Sequence, residues 1–136
     1  MNYFSLNKSS PKASFKQAVV NGIAPDRGLY YPESITPLSQ DFIDRISEYS
    51  NEEIAFEVIK QFIGDEIPAE KLKEIIKKTI SFEFPVVTIE KNIGSLELYH
   101  GPTMAFKDVG ARCMSQCLEY FNQDNKEDIT VLVATS

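Results

Sequence analysis

The sequence has no tryptophan, one histidine and two cysteines in 136 residues. A single histidine, His100, leaves too few ligands for a zinc site, which wants four donors drawn from Cys, His and carboxylates. Cys113 and Cys117 stand four apart on a predicted helix, a poor arrangement for a disulfide within one chain. They read as small buried apolar residues, and no metal site is expected. No apolar run approaches the roughly 20 residues of a membrane helix. The opening "MNYFSLNKSS" lacks the apolar stretch of a signal peptide. A cytoplasmic location with no membrane partner is the expectation. Positive charge is also scarce: Lys and Arg number 14 against 20 Asp and Glu, for a net charge of −6. Without a Lys/Arg cluster to set against that balance, a nucleic-acid partner is not expected.

What remains is an ordinary globular composition. Hydrophobic residues make up 43% and charged residues 25%, which excludes a disordered chain. The length suffices for one domain with a real core.

Helix signals dominate the first half. "YFSL" at 3–6 is a candidate strand. Ser14 opens "SFKQ", a capping box closed by Gln17. Phe15, Ala18 and Val19 give that short helix its face, and Gly22 ends it. "GLYY" is a short strand within a turn-rich loop. Ser39 caps a helix carrying Phe42, Ile43 and Ile46. Ser50 with Glu53 is a second capping box. It starts a helix whose face is Ile54, Val58, Ile59 and Phe62, stopped by Gly64. Pro68 suits the first position of the next helix, which carries Leu72, Ile75, Ile76 and Ile80.

After Pro85 the texture changes. "VVTIEK" and "SLELYH" flank "NIG" and read as two strands joined tightly. The loop "GPTM" leads into a helix ending near Asn122. Residues 129–134 are nearly all apolar and β-rich, as expected of a parallel strand buried on both faces. The fold class is therefore α/β: a mostly helical part over residues 1–85, then the start of an α/β unit over 86–136. Ligands of open α/β sheets bind beyond the carboxyl ends of strands. A strand followed at once by the end of the chain thus reads as a fragment, cut short of its functional loop. Nothing in the sequence sets an oligomeric state.

The helix after "GPTM" raises one question. Its start, "AFKD", carries Lys107 in the first turn, where the backbone already presents positive charge. At roughly 100° per residue, Phe106, Gly110, Cys113, Met114, Cys117 and Phe121 cluster on one side. Asp108, Arg112, Ser115, Glu119 and Asn122 occupy the other, with Asp108 toward solvent. Lys107 falls on the apolar side, in a strip with Ala111, Met114 and Leu118. Burial and the helix end both favour a neutral amine there, as Schiff-base chemistry requires. Gly110 and Ala111 leave room above it. The same pattern also suits a lysine that lays its stem on apolar surface and keeps its amine in water. His100 is an acid/base group, a phosphate contact, or a loop histidine with no chemical task. Thr103 is a hydroxyl contact or the N-cap of a helix starting at Met104.

"LELYHGPTMAFKDVGAR" resembles the pyridoxal-phosphate lysine segment of the threonine synthases. "SFKQAVVNGIAPDRGLYYPESI", "QFIGDEIP" and "VLVATS" are similar to further stretches of that family, so the resemblance covers nearly the whole chain. It implies an enzyme of the tryptophan-synthase-β-like fold type II that converts O-phospho-L-homoserine and water to L-threonine and phosphate. By the same resemblance, Lys107 forms the Schiff base with pyridoxal 5′-phosphate, flanked by Phe106 and Asp108 at the cofactor. His100, Thr103, Thr135 and Ser136 then belong to the substrate side. The cofactor-phosphate loop and most of the substrate loop are implied to lie beyond Ser136, so residues 1–136 alone are expected to be inactive. A related fold-type-II enzyme, such as a dehydratase of serine or threonine, is the alternative within this chemistry. A non-catalytic helical interaction domain is the alternative outside it.

Overall fold

Serine side chains set most of the helix starts. In the computed structural model, which describes residues 1–123 and 130–132, Ser14 Oγ accepts from the Gln17 amide and the Gln17 side chain accepts from the Ser14 amide. This closes the capping box of α1, Phe15–Asn21. Ser39 caps α2, Gln40–Asp44, in the simpler one-bond way. Ser50 and Glu53 form the second box, at the head of α3, Asn51–Ile63. Each cap satisfies amides that the first helical turn leaves without partners. α1 and α3 stop at glycines with positive φ, Gly22 at 66° and Gly64 at 63°, a backbone region that side chains disfavour. Pro68 stands at the N-cap of α4, Ala69–Thr79, one position earlier than the sequence suggests.

Two small antiparallel sheets accompany these helices. β1, Tyr3–Ser5, pairs with β2, Tyr30–Pro32, with Phe4 opposite Tyr31. β3, Val86–Glu90, and β4, Ile93–Leu96, form a hairpin, irregular between Thr88 and Glu90; its second strand takes in Ile93 and Gly94 of the expected turn and ends at Leu96, so the strand expected over 95–100 is mostly absent. Asn92 turns it with φ at 68°, a conformation that asparagine tolerates. The mixture of helix and strand agrees with the α/β expectation. The buried parallel strand does not appear in the described part of 129–134. Thr130, Val131 and Leu132 carry no strand pairing, and Leu132 is 92% exposed. Burial on both faces requires neighbouring strands, and each described sheet has only two strands, both already paired with one another.

The core lies where α3, α4 and the last helix, α5 (Asp108–Asn122), converge. Ile63, Ile67, Leu72, Ile75, Ile76, Cys117 and Phe121 form its buried centre. Phe15 of α1 meets Phe121 edge-on at 6.0 Å, so α1 joins the same core. The face of α3 is rotated from the expected one. Ile63 is buried, and Ala55 and the expected Ile59 pack against the core from the edge of an open apolar groove, which Ile54, Val58 and Phe62 also line together with Ile80 and Phe84. The reason is tertiary: α4 packs on the side of α3 that ends at Ile63, directly before the turn to Ile67. Phe42 of α2 is buried as expected, but Ile43 and Ile46 remain exposed. Cys113 and Cys117 are free thiols, half-buried and buried. Among the described residues no helix is long and apolar enough to cross a membrane.

Candidate functional site

The loop between β4 and α5 carries most of the residues that the sequence singles out. It begins with an aromatic and acidic cluster. His100 stacks on Tyr99, with ring centres 4.7 Å apart and 23° between planes. His100 Nε2 lies 2.7 Å from Glu97 Oε2. An ionised carboxylate has no proton to give, so Nε2 is the donor. The Tyr99 hydroxyl and the His100 ring hold the Glu97 carboxyl below the usual range, and Glu97 in turn raises the Tyr99 phenol. His100 is thus oriented by its neighbours and remains exposed.

From Gly101 onward the loop folds on itself. The Met104 amide donates to Gly101 O at 3.0 Å, and the Asp108 amide to Ala105 O at 3.1 Å. Met104 has φ at 55°, so no helix can start there. Thr103 is therefore not an N-cap. Its hydroxyl donates to Asp108 Oδ1 at 2.7 Å, and its amide to Asp108 Oδ2 at 3.0 Å. The expectation that Asp108 faces solvent is also wrong: it is 5% exposed. Its polar side chain is drawn inward because the loop offers it two donors, and burial is then compensated. The Thr103 hydroxyl, above all, holds the Asp108 carboxyl below the usual carboxylate range, with loop amides and Arg112 adding to this. Gly101 is buried against the same carboxylate. A Cβ on Gly101 would come within 2.4 Å of Asp108 Oδ2 and 2.9 Å of its Cβ, so a side chain has no room there.

These bonds delay the helix. α5 begins at Asp108, and Lys107 is its N-cap, with φ −68° and ψ −15°. Asp108 now occupies the first helical position, where negative charge is favourable. Lys107 itself is exposed, with Nζ 5.9 Å from the centre of the Phe106 ring. The dry pocket expected around it is absent among the described residues. The apolar side of α5 divides in two: Cys113, Cys117, Tyr120 and Phe121 pack on the core, while Phe106, Lys107, Ala111 and Met114 face outward. A helix rooted by the first strip cannot also bury the second, which lies round the wheel from it. Gly110 is open: outside its own stretch of helix, no atom of the described residues lies within 4 Å of where its Cβ would stand.

Arg112 is a further residue that the sequence misplaces. Expected on the solvent face, it is half-buried and reaches the end of α4. Its Nη2 donates to Lys78 O at 2.5 Å and Ser81 Oγ at 2.9 Å, and its Nε to Thr79 O at 3.3 Å. Those carbonyls belong to the helix end that lacks internal partners. No local signal in the sequence links residue 112 to residues 78–81. Phe106 is 65% exposed beside Lys107. Thr135 and Ser136 lie outside the described residues.

The loop and α5 therefore bring Lys107, Phe106, Asp108 and Thr103 together, and they hold His100 some residues upstream in the same loop. Among the described residues Lys107 Nζ is in no ion pair and no hydrogen bond. An amine in that position is sterically open to an incoming carbonyl group, though without the burial that the sequence led us to expect. It fits pyridoxal phosphate at the aldehyde end of that molecule, with open space over Gly110 beside it.

Comparison with known proteins bears on the whole chain. The family described as "Threonine synthase N terminus" matches residues 2–80. Threonine synthase of Buchnera aphidicola subsp. Baizongia pistaciae is 38% identical over 137 residues, covering 100% of this chain and 32% of its own length. Threonine synthase of Escherichia coli is 38% identical over 136 residues, covering 100% of this chain and 31% of its own. The crystal structure of the Escherichia coli threonine synthase matches with a TM-score of 0.85 and 37% identity, over 91% of this chain and 29% of that one. The structure of pyridoxal-phosphate-bound threonine synthase from Brucella melitensis matches with a TM-score of 0.88 and 32% identity, over 93% and 28%. The chain thus spans about a third of the length of the curated relatives it matches.

Proposed function

The chain belongs to the threonine synthase family, and from that premise we propose that Lys107 is the residue that holds pyridoxal 5′-phosphate in an enzyme converting O-phospho-L-homoserine and water to L-threonine and phosphate. The activity proposed is that of a carbon–oxygen lyase acting on a phosphate ester. The observation that carries the reading is the place of Lys107: exposed at the N-cap of α5, directly after the folded loop from Gly101, with the Phe106 ring beside its amine. When bound, pyridoxal phosphate supplies an electron sink for charge that develops on the carbons of an amino-acid substrate.

The parts of this chain take distinct tasks. Lys107 Nζ binds the cofactor and moves protons at the substrate's α and β carbons. Phe106 presents an exposed ring beside the amine, a flat apolar face against which a planar ring can rest. His100, fixed by Tyr99 and Glu97, is the candidate contact for the substrate's phosphate. Thr135 and Ser136 are assigned to the substrate as well. Residues 86–136 make up the part that takes the cofactor, and residues 1–85 supply the helices on which α5 rests.

Borohydride reduction of the whole protein with pyridoxal phosphate, followed by peptide mapping, tests the assignment. The expected result is one pyridoxyl adduct, on Lys107, and none in Lys107→Ala. Adducts spread evenly over the surface lysines, with Lys107 no more modified than the rest, would overturn it.

A further inference from the structure

We infer that Asp108, Thr103 and Gly101 form a latch that fixes where the Lys107 amine can reach, so that Asp108 and Thr103 are positioning residues and not ligand contacts. The inference rests on the reading of Lys107 given above. Lys107 needs such a device. Its side chain has four rotatable carbons and is exposed, so an amine on a loose backbone would spread over a wide volume. Three observations place the restraint immediately beside it.

The first is the use of the carboxylate. Asp108 spends one oxygen on the Thr103 hydroxyl and the other on the Thr103 amide. At 5% exposure it presents little to a ligand. Charge-assisted bonds of this kind are the stronger ones. The second is Gly101, whose lack of a side chain lets the loop close directly on that carboxylate. Six residues, Gly101 to Phe106, are thereby folded against the residue next to Lys107. The third is the foundation under Asp108. It is the first residue of α5, which is rooted in the core by Cys117 and Phe121 and tied to α4 by Arg112. The latch therefore connects the lysine loop to the rigid centre of the molecule through a single side chain.

The test uses Thr103→Ala, Thr103→Ser and Gly101→Ala in the whole protein, with two readouts. Hydrogen exchange of the 101–105 amides is measured without pyridoxal phosphate. The rate of borohydride-trapped labelling of Lys107 is measured relative to the other exposed lysines in the same sample. Thr103→Ala is expected to speed loop exchange about tenfold and to slow relative labelling of Lys107 about tenfold, the scale of one charge-assisted bond. Thr103→Ser keeps the hydroxyl and is expected to restore both. Gly101→Ala is expected to act as Thr103→Ala does, by pushing the carboxylate away instead of removing its donor. Unchanged exchange in both alanine variants would overturn the latch. Faster exchange with unchanged relative labelling would overturn its positioning role. If Lys107 in the unaltered protein is labelled no faster than other lysines, the functional reading falls. The latch is then decided by exchange alone, supported by a rise in both alanine variants and refuted by none.

Discussion

Replacing Arg112 by alanine removes the clamp between α5 and the end of α4. The guanidinium makes two bonds to backbone carbonyls, Lys78 O and Thr79 O, and one to the Ser81 hydroxyl. Charge-assisted bonds contribute about 1.5–3 kcal/mol each when well buried. Arg112 is only half-buried, so solvent screening reduces each to about 1 kcal/mol. The substitution is then expected to cost roughly 2–3 kcal/mol, with the attraction of a cation to a helix C-terminus already included. Arg112→Lys is the informative companion. Lysine keeps the charge but offers a point of three donors in place of a planar fork. It is expected to recover no more than about 1 kcal/mol of the loss, the share due to charge near the helix end. Urea unfolding followed by circular dichroism measures both, with an unchanged slope indicating that stability alone has moved. A loss under about 0.5 kcal/mol for alanine would refute the clamp. So would a lysine variant as stable as the unaltered protein, since that would leave the fork geometry with no role.

Two further outcomes rest on burial and on hydrogen bonding elsewhere. Ile63 is wholly buried at the centre of the core, so Ile63→Ala is expected to destabilise by about 3–4 kcal/mol and Ile63→Val by about 1 kcal/mol in thermal or urea melts. Asp26 accepts from the Ser5 hydroxyl and from the amides of Gly28 and Ser9, which brings its pKa down from 3.8 to about 2, the Ser5 bond first among the causes. A carboxyl lowered by folding adds stability that is fully present above its unfolded value and lost as pH falls through the folded one. The protein should therefore lose stability between about pH 4 and pH 2, and Asp26→Asn should flatten the melting temperature in that window; an equally steep fall in the variant would remove Asp26 as the cause.

What the sequence discloses here follows the range of the interactions. Ser14, Ser39 and Ser50 are readable because a cap closes within three residues, and the box partners Gln17 and Glu53 stand where the motif requires them. Gly22 and Gly64 are readable for the same reason, as is the hairpin around Asn92. The face of α3 is not. Whether Val58 or Ile63 turns inward depends on where α4 and α5 settle, and no spacing within α3 carries that. At the candidate site, helical periodicity puts Asp108 and Arg112 on the side opposite the apolar cluster, and so toward solvent. Each instead finds partners that the wheel cannot contain: a hydroxyl and an amide five residues back, and carbonyls more than 30 residues back. The lysine motif itself is read by resemblance, and its start by pattern only to within a turn.

The position of Lys107 follows from the meeting of these two kinds of interaction. As the last residue of the loop and the N-cap of α5, it is reached from one side by the local latch and from the other by the helix that the core holds. Asp108 belongs to both, since it binds Thr103 and also feels the charge of Arg112, one turn along the same helix. The two anchors therefore share one carboxylate, and losses at Thr103 and Arg112 need not add as independent sites do. Met104, Phe106 and Met114 are left outside the core, and the Phe106 ring stands beside an amine whose backbone is fixed from both directions. Fixed backbone with free side-chain surface is the division that a binding residue needs: the scaffold carries the ordering cost, and the exposed groups remain available to the ligand.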